Sequence, residues 1–188
     1  MKKISTFLTR YFMYNHLNKI LSEQPTLDGD ILGISGLGAI NSMLPKTNKR
    51  QNISYPNYDV TNLKLNTNKY DYVICDQVLE HVENPFLAIS EMNRVLKPNG
   101  LLILTTCFMN FYHKYPIDYW RFSPDALAYL CQKFSKIIDV GGWGNVDALK
   151  LILDGHRYDL VEPDTEMENI ALQNDNTNFI VTWIIAQK

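Results

Sequence analysis

Four side chains that could carry acid–base chemistry fall close together in one aromatic stretch, Cys107-Phe-Met-Asn-Phe-Tyr-His-Lys-Tyr-Pro-Ile-Asp-Tyr-Trp-Arg-Phe-Ser-Pro124. His113, Asp118, Tyr119 and Arg121 offer a base, an acid, a phenol and a permanent cation within reach of one another. A connection this long between ordered elements is usually functional. The same residues also serve a plainer purpose, with Asp118 and Arg121 as an ion pair pinning the loop and Trp120 as a plug on the core. A second group, Asp76 and Gln77 followed by Glu80 and His81, stands directly after a short apolar run, where Glu80 and His81 also suit a structural helix start. A third is the turn Ser35-Gly36-Leu37-Gly38, whose glycines let backbone N–H groups approach a ligand closely. Alone, such a G-x-G is weak evidence.

The elements that must position these groups are clearest from Lys69 to Thr106. Tyr72–Cys75 and Leu101–Leu104 are short apolar runs that read as strands buried on two faces. Between them Phe86, Leu87, Ile89, Met92, Val95 and Leu96 recur at steps of three and four and predict one apolar helix face. Asn84-Pro85 starts that helix and Lys97-Pro98-Asn99-Gly100 stops it. The result is a right-handed βαβ unit of a doubly wound, mostly parallel sheet. Ligands of such sheets lie outside the carboxyl ends of the strands, which puts Asp76 and Gln77 at the site edge by position. The aromatic stretch leaves the next strand over the same edge.

The string YDYVICDQVLEHVENPFLAISEMNRVLKPNGLLILTT resembles the core of class I S-adenosylmethionine (SAM)-dependent methyltransferases of the small bacterial type 11 group. The resemblance runs from about Asp30 to the end. It implies a Rossmann-like α/β fold with helices on both faces, an antiparallel last strand (here Asn178–Ala186) beside the previous one, and SAM as cofactor. It further implies that Ser35, Gly36, Gly38, Asp76 and Gln77 line the cofactor site. Asp59 and Val60 would read the adenine, the acid taking the exocyclic amine and the Val60 N–H facing a ring nitrogen. An Asx turn at a strand end is the other use of Asp59. The subgroup's H-x-x-P-x-D-Y-W-R-F string is matched from His113 to Phe122.

Two departures stand out. Family members carry an acid where Gly33 stands and a glycine where Ser35 stands. From Gly38 to Asp59 the chain is too short for a full second strand-helix pair, and it holds no Asp or Glu to grip the two ribose hydroxyls. Tyr55 or Asn57 supplies single hydrogen bonds at most. Two functions follow: methyl transfer to a small-molecule or sugar-type acceptor, with His113 or His81 taking the proton, or a fold that has lost its chemistry and serves as a binding or assembly subunit. A nicotinamide enzyme is disfavoured because G-x-G-x-x-G is incomplete.

At 188 residues and 46% apolar content, the chain is expected to form one domain, with a helix over residues 1–22 and a core over 30–188. A net charge of −2 gives no footprint for nucleic acid. Cys75, Cys107 and Cys131 lack paired spacing, so a reduced, cytoplasmic setting and no metal site are expected. Ile4, Phe7, Leu8, Tyr11, Leu17, Ile20 and Leu21 share a helical stripe that packs on the sheet or covers the pocket; Lys2, Lys3 and Arg10 leave membrane-surface contact as an alternative, without stable insertion. Trp143 walls a substrate pocket or fills the core, and residues 162–178 read as a polar surface loop or lid. A homodimer is one arrangement the sequence leaves open.

Overall fold

The computed structural model describes residues 4–46 and 49–188. Six strands form one sheet: β1 (Ile31–Ile34), β2 (Arg50–Ile53), β3 (Tyr70–Asp76), β4 (Leu96–Cys107), β5 (Lys136–Trp143) and β6 (Val181–Gln187). Their order is β2-β1-β3-β4-β6-β5. The first four run parallel, and β6 is inserted antiparallel between β4 and β5. Among the described residues five α-helices accompany them: α1 (Leu8–Ser22), α2 (Pro85–Val95), α3 (Pro124–Leu130), α4 (Val146–Leu153) and α5 (Glu166–Leu172).

Alternate residues of the central strands feed two cores. Val73, Leu102, Leu104 and Ile184 pack with Ile89, Met92 and Leu127 on the face covered by α2 and α3. Ile74, Ile103, Trp183 and Ile185 pack with Leu8, Tyr11, Leu17, Ile152 and Ala171 on the face covered by α1, α4 and α5. Because both faces are buried, the middles of β3 (Tyr72–Cys75) and β4 (Leu101–Leu104) are continuous apolar runs rather than alternating.

The shortened second unit is real. Between β1 and β3 lie only two turns of 3-10 helix at Gly38–Met43 and the four-residue strand β2. As an edge strand, β2 carries Arg50, Gln51 and Asn52, polar residues that keep an open edge hydrated.

Several local expectations need correction. On α2, Phe86 and Leu87 are exposed, while Pro85, Ala88, Ile89, Met92 and Val95 are buried. The buried stripe follows the i, i+3, i+4, i+7 rule from Pro85, and the larger Phe86 and Leu87 lie off it. The helix does start as expected, with the Asn84 side chain accepting from the Leu87 N–H, but it stops at Val95. Leu96 already pairs with Tyr70. Residues 162–178 are not wholly a loop: α5 lies within them, and its Glu168 is buried. On α1, Leu8, Tyr11, Leu17 and Leu21 are buried as expected, but so are Met13 and Tyr14, and Phe7 is exposed before the helix begins. The apolar side of α1 is therefore covered by protein, against the membrane-surface alternative. No described helix is long and apolar enough to cross a membrane. Lys2 and Lys3 lie outside the described residues, as do Thr47 and Asn48.

Candidate active site at the strand ends

Thr105 and Thr106 end the apolar run of β4, and successive strand residues point to opposite faces. Each hydroxyl organises one side of the carboxyl edge.

On the α1 side, Thr105 Oγ1 donates to Asp76 Oδ1 at 2.5 Å and accepts from Gln77 Nε2 at 2.8 Å. Two α1 residues close over the same pair. Tyr14 donates its hydroxyl to Asp76 Oδ2 at 2.8 Å, and Arg10 Nη2 donates to Gln77 Oε1 at 2.7 Å. Burial, then the Asp76 charge, hold the Tyr14 phenol well above its ordinary range, so it is a donor at any physiological pH. Gln77 sits at φ 58°, which turns the chain sharply after β3.

The glycine turn faces this pair. Ser35, Gly36 and Gly38 have φ of 60°, 106° and 50°. A side chain at Gly38 would meet Asp76 Oδ2 at 2.5 Å, whereas one at Gly36 would meet nothing within 4 Å. Gly38 is thus small because the carboxylate lies against it, and Gly36 borders open space. The Ser35 N–H donates to Ile53 O at 2.7 Å, tying the turn to β2.

The place of the missing acid is filled. A Cβ on Gly33 would stand 2.5 Å from Asn52 Oδ1, 2.6 Å from Leu37 Cδ2 and 2.7 Å from Gly36 O. Gly33→Asp is therefore expected to destabilise the fold by about 1–3 kcal/mol through overpacking rather than restore a family-like site. Urea unfolding of the variant checks this, and an unchanged midpoint would refute it.

On the other side, Thr106 Oγ1 donates to Glu80 Oε2 at 2.8 Å. The Glu80 carbonyl accepts from the N–H groups of Tyr119 and Trp120 at 2.9 and 3.2 Å, which anchors the aromatic loop. Trp120 Nε1 donates to Val82 O at 2.9 Å. Asp118 accepts from Arg121 Nη1 and Nη2 at 2.5 and 2.8 Å and from the His113 N–H at 2.8 Å. These bonds, Arg121 foremost, hold its carboxyl well below the usual range. Of the two readings of Asp118 and Arg121, catalytic groups or an ion pair pinning the loop, the geometry shows the pair: they engage each other and the loop backbone. His113 and His81 do come together, their rings edge to face at 4.9 Å.

The remaining candidates lie apart. Asp59 Oδ1 accepts from Thr61 N–H and Oγ1 at 2.8 and 2.7 Å, the Asx turn, which leaves Oδ2 for a ligand. Val60 is buried beside it, and Tyr55 is 67% exposed. Tyr119 uses its backbone on Glu80 while its ring is exposed, along with Phe111, Tyr112, Tyr115 and Ile117. Trp143 is fully buried and fills the core. A separate cavity of about 310 Å³, bordered by Leu21, Met43, Pro45, Tyr72 and Leu101, lies at the amino end of the strands, away from these groups.

Tyr14, Thr105 and Thr106 are new to the site, and Arg10 was expected only at a membrane surface. A polar Thr-Thr pair closing an apolar strand was the available sign for two of them. Nothing local to α1 marks Arg10 or Tyr14, which meet their partners across 67 and 62 residues.

Against known proteins, residues 32–104 match a type 11 family described as a methyltransferase domain. A demethylmenaquinone methyltransferase of Staphylococcus haemolyticus is 36% identical over 74 residues, 37% of this chain and 31% of that protein. A ubiquinone biosynthesis O-methyltransferase of Haemophilus ducreyi is 39% identical over 59 residues, 29% of this chain and 25% of that protein. The matched stretch is thus less than a third of the length of these relatives. Among solved structures, a chain of the complex between the Haloferax volcanii Trm112 methyltransferase activator and a methyltransferase superposes with a TM-score of 0.57 at 13% identity, covering 95% of this chain and 92% of that one. A SAM-dependent methyltransferase from Thermotoga maritima gives 0.54 at 15% identity over 96% and 91%. At such identities these two structures speak for the fold alone.

Proposed function

We propose, from a core that belongs to the type 11 methyltransferase domain family, that this chain binds SAM across the carboxyl edge of its sheet and methylates a small-molecule or sugar-type acceptor. The observation that carries the reading is the open turn at Gly36, set beside the Asp76–Gln77 step of β3. The residues there fit the cofactor with a reduced sugar end. Ser35, Gly36 and Gly38 present backbone, Asp76 and Gln77 border the space with side chains held by Thr105, Tyr14 and Arg10, and Asp59 Oδ2 with the Val60 N–H serves the adenine. The ribose hydroxyls have only neutral partners such as Tyr55, and that predicts modest affinity.

Bound there, SAM would supply an electrophilic methyl group on sulfur. The protein's own task is to align the acceptor and remove its proton. His113 Nδ1 lies 3.1 Å from Phe111 O and His81 Nδ1 2.7 Å from Ile117 O. In the tautomer with the proton on Nδ1, donated to the carbonyl, Nε2 is an acceptor; for His113 the Asn110 amide, 3.3 Å from Nδ1, favours the other tautomer. Exposed aromatic rings of the loop suit stacking on a ring-shaped or apolar acceptor, and the net charge of −2 argues against nucleic acid. Asp118 and Arg121 act as positioning residues that hold His113.

S-adenosylhomocysteine at 100 times its dissociation constant is expected to stabilise the protein by about 2.7 kcal/mol, or roughly 5–10 °C in Tm. Gly36→Ala should weaken that binding at least ten-fold, since its methyl group enters the open space, while destabilising the fold by no more than about 1–2 kcal/mol. A flat thermal response at millimolar ligand would overturn the reading. It would favour the second one, a binding or assembly subunit, which the filled position at Gly33 and the absent ribose acid support.

A further inference from the structure

We propose that Glu80, His81 and His113 form a site for one divalent first-row transition ion, such as Zn²⁺, Co²⁺ or Mn²⁺. One ligating atom from each of the three lies within 4.8 Å of the others. No short sequence motif announces the set, because His113 arrives from the loop after β4 while Glu80 and His81 follow β3.

Three observations select this cluster. Glu80 is 1% exposed, and the hydrogen bond to its carboxylate comes from Thr106 Oγ1 onto Oε2. Buried carboxylates are normally paired or bound to metal. Next, each imidazole has Nδ1 near a backbone carbonyl, His81 2.7 Å from Ile117 O and His113 3.1 Å from Phe111 O, the latter also 3.3 Å from Asn110 Nδ2 and 3.6 Å from Asp118 Oδ2. With the proton on Nδ1, such a contact is the outer hydrogen bond that leaves Nε2 of a metal-binding histidine free to ligate. Lastly, Arg121 lies within electrostatic reach of Glu80 but is held in a two-point pair by Asp118.

The donor set chooses the ion class. Two imidazole nitrogens and one carboxylate suit borderline ions over Mg²⁺ or Ca²⁺, which prefer oxygen ligands throughout. Metal–nitrogen bonds of about 2.0–2.1 Å bring tetrahedral ligands to about 3.3 Å from one another. Closure from a spread of up to 4.8 Å needs each of the three donors to shift by up to about 1 Å. Three protein ligands leave a coordination position for water or for an oxygen of a bound molecule. This inference does not depend on methyl transfer, but the two uses of His113 Nε2 exclude each other: an imidazole bound to metal is not a general base. With an ion present, an acceptor hydroxyl would lose its proton because the ion lowers its pKa.

The test is titration of the full chain, free of any histidine tag and stripped with chelator, with Co²⁺ followed by visible absorption and with Zn²⁺ by calorimetry. The expected result is one equivalent bound, with d–d bands for Co²⁺. His113→Ala and His81→Ala should each weaken binding at least ten-fold, and His156→Ala, on the remote surface turn after α4, should leave it unchanged. Glu80→Gln should act like the histidine variants; because Glu80 is buried and could be needed for folding, the two histidine variants decide the matter. Absence of binding at millimolar metal, or binding that survives both histidine substitutions, overturns the proposal. Neither readout uses SAM or an acceptor, so failure here and failure of the methyltransferase reading are separate results.

Discussion

Asp118→Ala is expected to destabilise the protein by about 2–3 kcal/mol and to release the aromatic loop. The Asp118 side chain is only 2% exposed and receives three hydrogen bonds, two from Arg121 and one from the His113 backbone. An exposed ion pair contributes 0–1 kcal/mol, whereas breaking a buried one costs about 3–5. Arg121 is partly exposed and can rehydrate once abandoned, which places this pair below the deep value. The sign with pH follows from the depressed carboxyl. Its stabilisation is complete above the unfolded carboxylate value of about 3.9 and is lost progressively as pH falls below it. The gap between wild type and Asp118→Ala in urea unfolding should therefore be full at pH 7 and narrower at pH 3. Amide exchange should rise over residues 108–121 in the variant. An equal gap at both pH values, or a cost under 0.5 kcal/mol, as for an ordinary surface substitution, would show that Asp118 does not hold this loop.

The difference between what could and could not be read from the sequence has a physical basis. The unit from β3 to β4 was legible because its signals do not mix: two apolar runs too short for helices flank one stretch at helical spacing, with a proline start. The shortened second unit followed from chain length alone. Side-chain size misled on α2, where Phe86 and Leu87 outweigh Ala88 by hydrophobicity yet Ala88 lies on the buried stripe. The helix α5 was hidden by acidic composition, although Thr165-Glu166-Met167-Glu168 is a start signal of the S/T-x-x-E kind. The Thr165 hydroxyl indeed accepts from the Glu168 N–H. Burial of Glu168 could not be foreseen, because its partner, the Tyr11 hydroxyl, lies 157 residues away. The site divides the same way. The glycine turn and the Asp76–Gln77 step lie where strand topology puts them. That Asp118 pairs with Arg121 is a matter of side-chain geometry, for which the sequence offered two readings.

Trp143→Ala is expected to cost about 3–5 kcal/mol, the largest single effect among these substitutions. Trp143 ends β5 with no exposed surface, and Phe12 of α1 stacks over it at 6.3 Å. An indole buries about 150–250 Å², and its removal leaves a cavity that the surrounding structure can fill only in part. Collapse is further limited nearby: Gly144 packs so closely that a Cβ would fall 1.9 Å from Asn178 O. The hydrogen bond of Trp143 Nε1 to Gln173 O, 2.7 Å, adds little to the cost, because Asn145 Nδ2 also donates to that carbonyl and keeps it satisfied. Trp143→Phe retains most of the apolar volume and should cost about 1–2 kcal/mol. The consequence reaches the site through α1. Phe12 loses its support, and the same helix carries Arg10 and Tyr14 onto Gln77 and Asp76. Affinity for S-adenosylhomocysteine should thus fall further in the alanine variant than in the phenylalanine one. Had Trp143 been the wall of an acceptor pocket, truncation would change acceptor binding and leave stability nearly intact; a loss below about 1 kcal/mol in urea unfolding, within reach of a surface change, would restore that alternative.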